Sequence, residues 1–297
     1  MPELITIICD DLQAEIYRHT RELGYRVDMI IPADSPRDAI VSKNGESKRL
    51  RQKPDREGGP NIQRNSYALG DARASANWTT GRAGMMYRDL IPDRMGGKLI
   101  ASHIRIVDGG QVPDSVHYHK IDFQIIYCLQ GAIRVVYEDQ GPQFWLKPGD
   151  CVLQPPEIRH RVLDAEAESE VIEITSPAEH ETWFDHDLKL PTDDFRPDRV
   201  FGTQRFVRHL DSEAVWVPLD DGKTVAARAE VGAGNGMPDV YTLSSNNKND
   251  LVEYTKADGR WIRILVGGRG IMFRDEMDYL AASVATPFST RFPPPLS

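Results

Sequence analysis

Between residues 117 and 160 the chain spaces four metal-competent side chains along runs that suit only short strands. His117-Tyr118-His119 alternates, and alternation on a strand sends both imidazoles to one face with Cα atoms about 7 Å apart. That is close enough for both to meet one ion. Gln124 heads the next run, Gln124 to Leu129, which Gly131 ends. Pro148-Gly149-Asp150 makes a turn, Cys151 to Gln154 forms a further strand, and Pro155-Pro156 leads to His160. An H-x-H pair by itself is more often solvated or structural. The longer spacing is far more restrictive, because it lets three histidines and one amide oxygen converge on a single divalent ion from antiparallel strands.

The rest of the chain extends this β pattern in both directions. Leu4 to Cys9 suits a strand, Asp10-Asp11 an N-cap, and Leu12, Ile16, Thr20 and Leu23 a helix that Gly24 stops. Tyr25 to Ile31 alternates, and Asp38 to Val41 with Lys48 to Arg51 forms a hairpin about Asn44-Gly45. Residues 1–52 are therefore expected as a small α/β extension, either a packing unit or a dimer contact. Residues 53–80 are polar and rich in Gly, Pro and Asn, and read as a linker. Residues 81–190 carry many short strands with regular turns, the pattern of an all-β sandwich or barrel. Within them Ala101, His103 and Arg105 share one face of a strand spanning Lys98 to Val107, facing either water or a polar cavity. His180, Trp183 and His186 sit among Glu179, Glu181, Asp185 and Asp187, and read as an exposed acidic loop. Residues 200–297 form a second β-rich region. It holds a faint internal repeat, in which Trp216 and the residues after it echo Trp78 and the residues after it.

Charge and composition exclude several functions. The chain has 297 residues, with 45 Asp and Glu against 36 Lys and Arg, a formal net charge of −9. An acidic balance argues against nucleic-acid binding, which needs clustered cations. No run of about 18 apolar residues exists to cross a membrane. The start of the chain lacks signal-peptide character, and Cys9, Cys128 and Cys151 make no disulfide framework. The expectation is a cytoplasmic protein with a small-molecule substrate, no nucleic acid and no membrane partner.

The metal pattern resembles the cupin superfamily. Its first motif is usually G-x5-H-x-H-x3,4-E-x6-G, and here reads Gly110-x6-His117-x-His119-x4-Gln124-x6-Gly131. The second is usually G-x5-P-x-G-x2-H, and here reads Gly149-x5-Pro155-x4-His160. The resemblance covers about residues 85 to 180. It implies a mainly β fold, a jelly-roll barrel with the metal in its mouth, followed by a degenerate second β-rich half without a metal. It also implies a homodimer. The departure is Gln124 where the family usually has Glu.

That exchange alters the chemistry. Three imidazoles and an amide leave a divalent ion with its full double charge, which favours an anionic, chelating substrate and acidifies bound water. One divalent ion per chain is expected, as Fe, Zn, Ni or Mn, on His117, His119, Gln124 and His160. The set looks like that of the small cupins that open unsaturated uronate rings by a non-redox tautomerisation. Cupin lyases that cleave sulfonium substrates place a Tyr where this chain has Ile126. Candidates for catalytic work beside the metal are Glu173, as a base or an orienting group, and His103 and Arg105 as cations for a carboxylate. Gln154 is a further polar residue near the motif. Phe123, Tyr127, Phe144 and Trp145 give the motif an aromatic neighbourhood, which favours a dioxygenase on an aromatic or diketone substrate. The alternatives are a non-redox isomerase, cyclase or lyase that uses the metal as Lewis acid, and a binding protein with no catalysis.

Overall fold

A computed structural model describes residues 4–33, 35–54, 78–91, 94–219, 221–229, 239–255 and 261–274. Most of the expected linker, the glycine-rich end of the second repeat and the proline-rich tail lie outside these residues.

The N-terminal unit runs β1 (Ile5–Cys9), α1 (Leu12–Tyr17), β2 (Arg26–Ile31), β3 (Asp38–Lys43) and β4 (Glu46–Gln52). Asp11 caps α1 by accepting from the Ala14 amide at 3.0 Å, which satisfies one of the orphan donors of the first turn. Asn44 and Gly45 both take positive φ, the requirement of the tight turn that joins β3 to β4. β1 lies parallel to β4, and Leu12 of the intervening helix is buried against Ala39, Val41 and Leu50.

The central region runs β5 (Thr79–Thr80), β6 (Met86–Asp89), β7 (Ile100–Ile106), β8 (Gly110–Gln111), β9 (His117–His119), β10 (Phe123–Gln130), β11 (Ile133–Tyr137) and β12 (Phe144–Leu146). It continues through β13 (Cys151–Gln154), β14 (His160–Ala165), β15 (Ser169–Ser176), β16 (Thr182–Phe184), β17 (Val200–Phe201), β18 (Gln204–Arg205) and β19 (Val207–His209). These strands build two facing sheets. The first has the order β1-β4-β3-β2-β16-β9-β14-β11-β12, with β8 on β14. The second has the order β19-β13-β10-β15-β7-β6-β5. The expected jelly roll thus takes the form of two sheets enclosing one core, and among the described residues neither sheet closes on itself. Ile104, Cys128, Val152 and Val171 of the second sheet meet Ile133, Val135, Tyr137 and Leu146 of the first. The N-terminal strands are not set apart from this body, because β2 pairs with β16 and so extends the first sheet.

The C-terminal region adds β20 (Val217–Pro218), β21 (Thr224–Arg228), β22 (Val240–Ser245), β23 (Leu251–Thr255), β24 (Trp261–Val266) and β25 (Arg269–Arg274). They form one antiparallel sheet, β20-β21-β22-β25-β24-β23. Its apolar face, with Val240, Ile262, Ile264, Ile271 and Phe273, covers the outer face of the second central sheet, with Phe123, Ile125, Tyr127, Leu153, Ile172 and Ile174. The second central sheet is therefore buried on both sides, which is why its strands read as near-continuous apolar runs. The faint repeat has a structural counterpart: Trp78 and Trp216 each precede a three-stranded antiparallel meander, β5-β6-β7 and β20-β21-β22.

Candidate metal centre

Two strands of the first sheet, β9 and β14, deliver the three histidines. His117 faces His160 across the β9–β14 pair, and His160 faces Tyr137 across the β14–β11 pair. On the other side Phe184 of β16 faces His117, and Thr182 faces His119. The result is one inward row, Phe184–His117–His160–Tyr137, with His119 two residues along. Ring centroids lie 4.3 Å apart for His117 and His160, 5.1 Å for His117 and His119, and 5.2 Å for His119 and His160. All three are buried, and one ligand nitrogen from each lies within 4.8 Å of the other two. Nitrogens sharing an ion at about 2.1 Å stand roughly 3–4 Å apart, so movements of about half an ångström close the set.

The surroundings fix which nitrogen is available. A carbonyl only accepts, so the Ser115 carbonyl, 2.7 Å from His117 Nδ1, and the Ile158 carbonyl, 3.0 Å from His160 Nδ1, hold a proton on each Nδ1. His119 Nδ1 lies 2.9 Å from the Thr182 hydroxyl, which orients the ring. In His117 and His160 Nε2 then carries the lone pair, the arrangement a metal requires. Asp114 backs His117, with Oδ1 3.6 Å from Nδ1, and is itself held by the amides of Ser115 and Val162. These residues fit a divalent ion.

Gln124 enters from the facing sheet. It opens the row Gln154–Gln124–Thr175 across β13, β10 and β15 on the inner face. Gln154 Nε2 donates to Gln124 Oε1 at 2.6 Å and lies 3.1 Å from His160 Nε2. One row further along, Glu173 pairs with Ile126 and Ser102, and shares its side of β15 with Val171 of the inner core. Glu173 therefore points into the space between the sheets. Tyr137 stacks on His160, with centroids 5.5 Å apart, and packs against Phe144 and Phe206. Burial, followed by the neighbouring Cys151 and Glu173, pushes its phenol far above the usual range, so it stays protonated. Burial likewise raises the Cys128 thiol to about 12, so it is a protonated thiol at neutral pH.

The structure brings His117, His119 and His160 together, sets Gln124 beside them through Gln154, turns Glu173 to the same inner face, and leaves His103 and Arg105 out. Those two occupy the opposite face of β7, beside Ala101 and the C-terminal sheet. Arg88 donates to His103 Nδ1 at 2.8 Å, His103 Nε2 donates to Glu170 at 2.9 Å, and Arg105 pairs with Glu168. Their charges are spent in a structural network away from the metal histidines. The expected exposed loop at 180–186 is also revised. His180 is buried with its ring 5.2 Å from that of His119, and Thr182 is fully buried as its partner. His186 does lie outward, on Val27 and Asp28. Three of the four motif aromatics turn away from the site. Phe123 and Tyr127 belong to the outer core, Trp145 is exposed over Arg134, and Phe144 alone faces inward.

The motif glycines have steric reasons. A Cβ on Gly131 would run into Ser169, and one on Gly149 into Asp211, with both glycines at positive φ. Asp150 ties the same turn by accepting from the Lys147 and Asp211 amides.

Residues 103–175 match the family model for a cupin domain. With the histidine cluster inside it, this makes the central region a cupin domain. Comparison with curated proteins gives no match. Among solved structures, the chain is similar to KdgF from Halomonas sp. at 24% identity, covering 35% of this chain and 90% of that one, with a TM-score of 0.30. It is similar to oxalate decarboxylase from Bacillus subtilis at 11% identity, covering 73% and 75%, with a TM-score of 0.44. It is also similar to the polyketide cyclase RemF from Streptomyces resistomycificus at 20% identity, covering 40% and 84%, with a TM-score of 0.33. Among the described residues no helix is long and apolar enough to cross a membrane.

Proposed function

We propose that this protein is a mononuclear metal-dependent cupin enzyme that acts on a small, anionic, enolisable metabolite without net redox change. The observation that carries the reading is the set of three buried histidines, each with a ligand nitrogen within 4.8 Å of the other two, held at Nδ1 by the Ser115 carbonyl, the Thr182 hydroxyl and the Ile158 carbonyl. His117, His119 and His160 would hold the ion, with the Gln124 oxygen as a neutral fourth donor. A divalent ion there supplies Lewis acidity that its ligands leave uncancelled. Glu173, the carboxylate on the inner face, takes or returns the substrate proton. Tyr137, held as a neutral phenol, closes the side of the site next to His160. The outward placement of Phe123, Tyr127 and Trp145 removes most of the aromatic lining that had favoured an aromatic dioxygenase. The likeness of the H-x-H-x4-Q…H set to that of the uronate-opening cupins supports the same reading.

The test is metal content by inductively coupled plasma mass spectrometry on untagged protein, beside His117→Ala. About one zinc, nickel or manganese per chain is expected, lost in the variant, with turnover of enolisable acids that is indifferent to air. One iron per chain with substrate-dependent oxygen uptake would overturn the non-redox reading in favour of a dioxygenase. No metal after reconstitution would leave a binding module.

A further inference from the structure

Gln124 is an ambiguous ligand by its chemistry. A carboxylate offers an oxygen whichever way it turns, whereas an amide rotated by half a turn presents an NH2 group, which does not bind a cation. Something must choose the orientation. The choice is made between two buried amides. Gln154 Nε2 lies 3.1 Å from His160 Nε2 and 3.3 Å from Nδ1, over the ring face, where an N–H meets the π cloud and a carbonyl oxygen would not. The same NH2 group lies 2.6 Å from Gln124 Oε1 and donates to it, so Gln124 turns its oxygen to Gln154. Gln124 and Gln154 are each 1% exposed, so water does not compete for either amide. On the other side of Gln124 the buried hydroxyl of Thr175 makes no hydrogen bond among the described residues.

We propose that Gln154 is a positioning residue for the metal: it locks the Gln124 amide with its oxygen inward and so makes a glutamine serve where cupins usually carry a glutamate. The inference rests on the metal reading above. Gln154 acts on the ion only through Gln124.

The test is a double-mutant cycle read by Co2+ binding, using calorimetry and the visible spectrum of the bound ion. Gln154→Met keeps the length of the side chain and removes its donors, with Gln154→Leu as a second variant and thermal melts as the fold control. Partners of metal ligands typically contribute 10–100-fold to affinity. Gln154→Met should weaken Co2+ binding by at least about tenfold in the wild-type background. It should weaken it less than about twofold in Gln124→Glu, where no orientation has to be chosen. Equal losses in both backgrounds would make Gln154 a packing residue and overturn the proposal, as would no loss in either. A wild-type protein that binds no Co2+ would remove the metal reading itself, a result distinct from the other two.

Discussion

Asp114 shows how much of the site depends on residues that never touch the ion. Its two oxygens accept from the Ser115 and Val162 amides, which leaves the carboxylate beside His117 Nδ1 with nowhere to turn. The charge raises the basicity of the ring and helps hold it in its tautomer. Asp114→Asn is therefore expected to weaken Zn2+ or Co2+ binding by roughly tenfold or more. Competition with a chromophoric chelator measures this, and unchanged affinity in a protein with an unchanged melt would refute it. The histidines, Gln124 and the inward option for Glu173 were legible in the sequence, because motif spacing and strand parity are local. Asp114, Thr182 and Tyr137 were not, because each acts through a partner on another strand. His180 was hidden by its acidic neighbours, which suggested solvent, whereas β16 is inserted between β2 and β9 and draws that segment inward.

At the scale of elements, the longer strands of the central region could be placed from turns and alternation, whereas β16 read as a loop and the two-residue strands left no pattern. What alternation cannot say is which face is the inside. His103 and Arg105 share a face with Ala101 as expected, but that face is covered by a sheet assembled from residues more than a hundred positions later. A strap of chain from Asp185 to Arg199 holds the outer side of the first sheet near β11 by a second device. Asp139 is 2% exposed and pairs with Arg196 and with Arg199 at 2.6 Å, while Glu138 takes Arg199 at 2.7 Å. Burial pushes the Asp139 carboxyl up, but hydrogen bonds from Arg199, Thr192 and Arg196 outweigh it and hold the group below the usual carboxylate range. A carboxyl lowered in the native state stabilises it fully above its unfolded pKa of about 3.9, and that contribution fades as pH falls through the native value. Asp139→Asn should therefore cost about 1–2 kcal/mol at pH 7, allowing for the exposure of Arg196. The gap to wild type should narrow as pH falls below about 3.9 in denaturant titrations. A gap independent of pH would show that the carboxylate charge is irrelevant to the strap.

For the molecule as a whole, the controlling feature is the layering. The second central sheet is covered on both sides, since its inner face meets the metal-bearing sheet and its outer face meets the C-terminal one. A chain cut after residue 215 would leave Phe123, Ile125, Tyr127, Leu153, Ile172 and Ile174 without their cover, an apolar patch larger than monomers normally tolerate. Such a fragment is expected to aggregate or bind hydrophobic dye strongly, where the full chain elutes as a discrete species with little dye. A fragment as soluble and dye-silent as the full chain would contradict the layering. The same feature sets an order of events at the ribosome. Every residue of the metal pattern has emerged by His160, yet the covering sheet is complete only at Arg274. At roughly 5–20 residues per second, that interval is on the order of ten seconds. Throughout it the nascent chain owns its whole ligand set and an uncovered back. Chaperone occupancy should concentrate in that window, and an ion captured within it would meet a half-built body.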